Sequence, residues 1–294
     1  MKKITCLILA LSSLPVFAAL DTNQIQQVIG IKGAWNAAEG VFKVTAPRTD
    51  VKVSVDGWTM PPFMGLASWA AFNEGKTNDA MVMGDTVLFQ DEVNPVMSVA
   101  LDHGLAVTAL HNHFFYDEPK VFFMHLSGEG SAEHLATAIH QVWDKVKEIR
   151  AANPKPATTF GGAAMPATNS ITGKVIEGIL RVKGQANNGM FKVVIGRTTK
   201  LPCGCEMGKD MGVNTWAAFA GADDNALVDG DFAVEENQLQ PVLKTLRHAG
   251  INIVAIHSHM TQENPRILFL HYWGRGNAAD LAKSLKAALD TQTK

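Results

Sequence analysis

The sequence predicts an α+β fold made of two copies of one β-α-β-β-α unit, with helices packed on a largely antiparallel sheet. Three observations carry this. The segment HNHFFYDEPKVFFMH at 111–125 returns as HSHMTQENPRILFLH at 257–271, 146 residues further on. Other landmarks recur at the same shift: Gly84-Asp85 with Gly230-Asp231, Pro95 with Pro241, and Gly104 with Gly250. Each copy also passes from alternating apolar positions into helical spacing and back. That order belongs to an antiparallel sheet covered by helices rather than to a parallel array.

The chain opens with MKKITCLILALSSLPVFA. A dilysine, a short apolar run and a small-residue end at Ala18 predict a signal peptide over 1–18, cleaved near Ala18–Ala19. The expected destination is the periplasm or the medium. Cys6 lies too early to accept a lipid at the cleavage point, so no stable membrane anchor is expected. Loss of Lys2 and Lys3 moves the formal charge from −2 to −4. No basic run exists to neutralise phosphates, which argues against nucleic acid as a partner.

The first lobe is read as 19–150. Alternation around Val41–Val44 and Val51–Val55 predicts strands, as do the runs Trp69–Phe72 and Met81–Phe89. Val93, Val96, Met97 and Ala100 set a helix over Glu92–His103, with Pro95 tolerable in its first turn and Gly104 ending it. Leu105–His113 and Val121–Ser127 form a hairpin. Ser131 caps a helix whose inner stripe is Leu135, Ile139, Val142, Trp143 and Val146.

Residues 151–170, rich in Ala, Pro, Gly and Thr, read as a linker. The second lobe, 171–294, repeats the pattern, with Asn277 as helix cap and Leu281, Leu285 and Leu289 inward. WAAF occurs at 69–72 and 216–219, and GVFKVTAPRT at 40–49 resembles GMFKVVIGRT at 189–198, pairing Arg48 with Arg197.

Six of the ten histidines fall in the repeated segment. On a strand, residues i and i+2 share a face about 6.5–7 Å apart. His111 and His113 therefore project together, and the hairpin sets His125 opposite one of them; His257, His259 and His271 repeat this. Three converging imidazoles suit a divalent metal, with zinc the first choice and copper or manganese next. A hydrogen-bonded polar core and a metal-free ligand site are the alternatives. Glu118 and Glu263 are the acid–base candidates near the turns, and a fourth-ligand or ligand-orienting role is open to the turn carboxylates. Lys120 and Arg266, with Arg48 and Arg197, are the candidates for holding an anionic small molecule. Asp85 and Asp231, each after a glycine, read as turn residues. Cys203 and Cys205, in LPCGCEMG, read as a disulfide or unligated thiols, with a redox pair or thiolate ligand as the sharper alternative.

The segments WAAF, MGDTVLFQDEVNPVM, TALHNHFFYDEPKVFFMH and AIHSHMTQENPRILFLHYWGRG resemble the LppY/LpqO-like family of exported bacterial proteins. The resemblance implies export and tandem duplication and carries no established activity. It spans nearly the whole mature chain. HSH at 257–259 departs from the more usual HNH, and ENP at 263–265 from an acidic pair before proline.

Two functions follow from these residues. One is an exported metal-dependent enzyme, hydrolase-like, using the histidines and a turn carboxylate. The other is a non-catalytic periplasmic metal or small-ligand binding protein. A purely structural role for the histidines is the third reading.

Overall fold

The computed structural model describes residues 20–76 and 79–292. The expected signal peptide lies outside the described residues. The first lobe runs α1 (Thr22–Ile29), β1 (Gly33–Asn36), β2 (Val41–Pro47), β3 (Ser54–Val55), β4 (Trp58–Thr59), β5 (Ala67–Glu74) and β6 (Ala80–Phe89). It continues through α2 (Gln90–Asp102), β7 (Ala106–His111), β8 (Asp117–Glu118), β9 (Val121–Gly130) and α3 (Ala132–Ala152). The second lobe repeats this as α4 (Gly173–Leu180), β10 (Gly184–Asn187), β11 (Met190–Gly196), β12 (Thr199–Lys200), β13 (Glu206–Met207) and β14 (Asn214–Ala222). It ends with β15 (Asn225–Glu235), α5 (Leu239–His248), β16 (Asn252–His257), β17 (Ile267–Gly276) and α6 (Ala278–Thr291).

Twelve of the strands form one antiparallel sheet in the order β1-β2-β5-β6-β9-β7-β16-β17-β15-β14-β11-β10. Read from either end, the order visits equivalent strands, so the α+β duplication is a symmetry of the fold. Its centre is the pair Leu110–Ile256, where β7 meets β16. The six helices share one core, from Ile25 and Ile29 of α1 through Met97 and Ile139 to Leu243 and Leu285. Each fully buried Leu, Ile or Phe there contributes roughly 1.5–3 kcal/mol. Strand residues alternate between this core and the opposite face, where two smaller clusters sit. Val87, Phe89, Val121 and Phe123 belong to one, and Ala233, Ile267 and Phe269 to the other.

The lobes are joined by more than strand pairing. Both inner strands shift register, between Val107 and Ala109 on β7 and between Ile253 and Ala255 on β16. The freed backbone is met by an amide from the other lobe. Asn94 of α2 accepts from Ile253 N–H at 2.7 Å and donates to its carbonyl at 3.1 Å. Gln240 of α5 does the same for Val107, at 2.9 Å in both directions. A buried backbone group without a partner is costly, which is why polar side chains stand on these helix faces.

Local readings were adjusted by packing. The helix around Val93 begins at Gln90, so Pro95 lies beyond its first turn. Glu92 makes that start: its carboxylate accepts from Phe89 N–H at 2.8 Å. Val51–Val55 narrows to Ser54–Val55, because Val51 and Val53 turn into the apolar cluster instead of a ladder. The eight-residue helices α1 and α4 are too short to show a clear period in the sequence, and each is held by Ile25 and Ile29, or Ile176 and Leu180, against the core. The caps Ser131 and Asn277 are in place, accepting from His134 and Ala279 N–H. Among the described residues no helix is long and apolar enough to cross a membrane.

Candidate metal centres

The histidine segments lie on the sheet face away from the helices. On β7 and β9, His111 is opposite Phe123 and His125 is opposite Ala109. The same holds on β16 and β17, where His257 faces Phe269 and His271 faces Ala255. The third histidine is therefore diagonal to the first rather than directly across, in the register that follows the extra residue of the inner strand, Thr108 or Val254. The rings still meet. Centroids are 5.1 Å apart for His111 and His125, and 5.0 Å for His257 and His271. His113 and His259 follow their strands and stack on Phe123 and Phe269, at 3.3 and 3.5 Å.

The second lobe is the more closely organised. Nε2 of His257 and Nε2 of His259 are 3.1 Å apart, and Nε2 of His259 lies 3.6 Å from Oδ2 of Asp231. Zinc–nitrogen bonds of about 2.0–2.1 Å at tetrahedral angles separate ligand atoms by roughly 3.3 Å. The donors thus stand at the spacing that one such ion requires. Among the described residues, Asp231, His257 and His259 form the one group whose ligand atoms all lie within 4.8 Å of one another.

The outer nitrogens support the same arrangement. Nδ1 of His259 lies 3.3 Å from the Gly212 carbonyl, and Nδ1 of His271 lies 3.2 Å from that of Gly230. An Nδ1–H donated to a carbonyl leaves Nε2 with a free lone pair, the usual way a protein orients a metal-binding imidazole. His257 Nδ1 and Asp231 Oδ1 are buried with no hydrogen-bond partner among the described residues. An ion held by Asp231 would give its carboxylate a partner, whereas Nδ1 of His257 lies across the ring from the converging Nε2. Burial lowers the basicity of His257 and raises the pKa of Asp231. A neutral imidazole is the form that binds a metal.

The first lobe has the same parts in a looser set. His111 stacks with both His113 and His125, and Asp85 pairs in register with His125. Asp85 Oδ1 is likewise buried and without a partner among the described residues. Burial pushes the pKa of His113 down.

Asp85 and Asp231 are not turn residues. They sit mid-strand on β6 and β15, 5% and 3% exposed, and each pairs with the third histidine of its lobe. The recurring Gly-Asp dipeptide had another cause. A Cβ on Gly230 would lie 2.1 Å from the Tyr272 hydroxyl and 2.3 Å from the Trp216 carbonyl.

The other sequence candidates are placed as follows. Glu263 is buried, and its carboxylate accepts from Ile267 N–H at 3.1 Å, bracing the turn. Asp117, its counterpart, accepts from Val121 N–H at 2.7 Å. Glu118 is exposed on β8, paired with Ser54. Lys120 bonds Asp117 at 3.1 Å, and Arg266 reaches Glu236 at 3.5 Å. Arg48 is buried over Phe89, bonded to Glu92 at 2.8 and 3.0 Å and to Asp50 at 2.9 and 3.0 Å. Arg197 bonds Gln238 at 2.8 Å, and burial lowers its pKa. All four cations thus have protein partners. A cavity of about 460 Å³ beside His271 is lined by Trp273, Asp229, Val254, Phe122 and Phe160.

A comparison with curated proteins finds no match. Among solved structures, a trimeric bacterial microcompartment shell protein PduB aligns at 11% identity over 88% of this chain and 89% of its own, with a TM-score of 0.22. That similarity is too low to bear on fold or function. The family described as Domain of Unknown Function (DUF1259) matches twice, over residues 23–145 and 174–291. The two matched stretches coincide with the two lobes, and the chain belongs to that family.

Proposed function

We propose that this is an exported metal-binding protein with one histidine–carboxylate centre in each lobe; the LppY/LpqO-like resemblance implies the export and the duplication. The second-lobe centre is Asp231, His257, His259 and the adjoining His271; its counterpart is Asp85, His111, His113 and His125. One observation carries the reading: the converging Nε2 and Oδ2 atoms of His257, His259 and Asp231, with the Gly212 carbonyl holding the far side of the His259 ring. Zinc is the proposed ion, since neutral imidazole and carboxylate donors at this spacing suit it.

A bound zinc would supply Lewis acidity, and with it a hydrolytic reading in which Glu118 and Glu263 do acid–base work. The non-catalytic alternative has the better structural support. Glu263 is committed to Ile267 N–H, and Lys120, Arg266, Arg48 and Arg197 are all engaged by neighbours. For a small-molecule ligand, the cavity beside His271 offers aromatic walls at Trp273 and Phe122.

Elemental analysis of protein purified from its native host tests the reading. Wild type is expected to carry close to two ions per chain, and His257→Ala and His111→Ala close to one each. Metal near zero in the wild type would overturn it. Loss of both ions in either variant would mean a single shared site.

A further inference from the structure

Cys203 and Cys205 lie outside the histidine cluster but are fastened to it. They occupy the tip of the β12–β13 hairpin, where Leu201 N–H bonds the Cys205 carbonyl at 3.0 Å and Gly204 N–H bonds the Leu201 carbonyl at 2.8 Å. Gly204 takes φ +78, a conformation that glycine adopts without strain. The turn brings the two side chains together: Cys205 N–H donates to Cys203 Sγ at 3.4 Å, and the thiols hydrogen-bond each other. That contact lowers the Cys203 pKa and raises that of Cys205. Both are exposed. In the first lobe the same hairpin turns through Asp56 and Gly57, without a thiol.

The hairpin is anchored to the histidine loop. Asn264 N–H bonds the Lys200 carbonyl at 2.9 Å, Lys200 N–H bonds the Asn264 carbonyl at 3.2 Å, and the Thr199 hydroxyl reaches the Pro265 carbonyl at 2.7 Å. Beyond the thiols, Met207 and Met260 pack on the cluster containing Phe269, the ring stacked on His259. Met211 is 64% exposed, next to the Gly212 whose carbonyl meets His259.

We propose that Cys203 and Cys205 form a two-thiolate site for a soft d10 metal ion of the copper(I) class, mounted on the hairpin that is hydrogen-bonded to the second-lobe histidine loop. Thiolate and thioether donors select such ions over the harder ones that imidazole and carboxylate accept. Binding converts two thiols to thiolates, so two protons pass to solvent and the ion keeps its oxidation state. Closing a disulfide across a single glycine strains the specific geometry that bond needs, which favours the metal-bound form. The thiolate site rests on the cysteine geometry alone. A role as entry point to the histidine centre rests also on the metal reading above.

The test titrates the reduced full chain, without oxygen, with copper(I) held as its coloured bicinchoninate complex. Wild type is expected to withdraw one equivalent more than Cys203→Ser/Cys205→Ser, with a thiolate-to-copper band in the ultraviolet that the double variant lacks. His257→Ala is expected to keep that equivalent and that band. Equal uptake by wild type and the double serine variant would overturn the proposal. If His257→Ala and wild type both lack native metal yet keep the cysteine-dependent equivalent, the histidine reading falls and the thiolate site stands.

Discussion

At position 230 a side chain has nowhere to go. The Tyr272 hydroxyl, 2.9 Å from the Trp216 carbonyl, fills the space a Cβ would need. Gly230 is thus what allows Asp231 to sit flush beside His271 on the other face. Gly230→Ala is expected to cost about 1–3 kcal/mol through overpacking, read by urea denaturation. Gly84→Ala should cost less: its Cβ would meet the Trp69 carbonyl at 2.9 Å, and Leu126 replaces the tyrosine. Equal penalties at the two glycines would refute this account. Tyr272 also makes a pH prediction. Burial raises its pKa well above 10, so the native chain keeps a proton that the unfolded chain releases above about pH 10. The native state then binds more protons than the unfolded, and stability falls as pH rises through that range. Tyr272→Phe should lose about 0.5–1.5 kcal/mol at neutral pH, from the missing hydrogen bond, and show a shallower alkaline decline. An unchanged slope in unfolding measurements between pH 9 and 11 would rule out Tyr272 as its source.

Among the elements, α2 and α5 have a second task beyond covering the sheet. Each hands an amide across the symmetry axis to a strand of the other lobe, Asn94 to Ile253 and Gln240 to Val107. Removing either amide leaves a buried N–H and C=O without partners, at about 1–3 kcal/mol per group. Asn94→Ala/Gln240→Ala should therefore loosen the union of the lobes more than it loosens either lobe. Calorimetry is expected to show one transition in the wild type and two, or a clearly broadened one, in the double variant. A single sharp transition merely shifted to lower temperature would mean that the helix and strand packing alone unites the lobes.

For the whole molecule, what could be read from residues alone was the local and the repeated. The histidine segments and the caps at Ser131 and Asn277 depend on short spacings, and the duplication on segments that recur at a constant shift; both are visible in one dimension. Asp85 and Asp231 were not readable as site members, because they sit on β6 and β15, strands whose neighbours are set by a sheet order that skips along the chain. The register shifts at Ala109 and Ala255 were likewise hidden, since the freed backbone is satisfied by residues more than a hundred positions away. One core shared by six helices is a property of both copies together, and neither copy displays it separately.

The Leu110–Ile256 junction governs how far the sheet can extend. Equivalent strands meet there edge to edge in opposite directions, so the surface that joins the lobes is complementary to itself. A lone unit with that edge would be complementary to a copy of itself, and two units within one chain make the partner permanent at any dilution. The same fusion shields the six-residue inner edges β7 and β16, leaving as outer borders of the sheet the four-residue strands β1 and β10. Short borders present few unpaired backbone groups to another molecule. The duplication thus gives the sheet its length and also stops it from growing further.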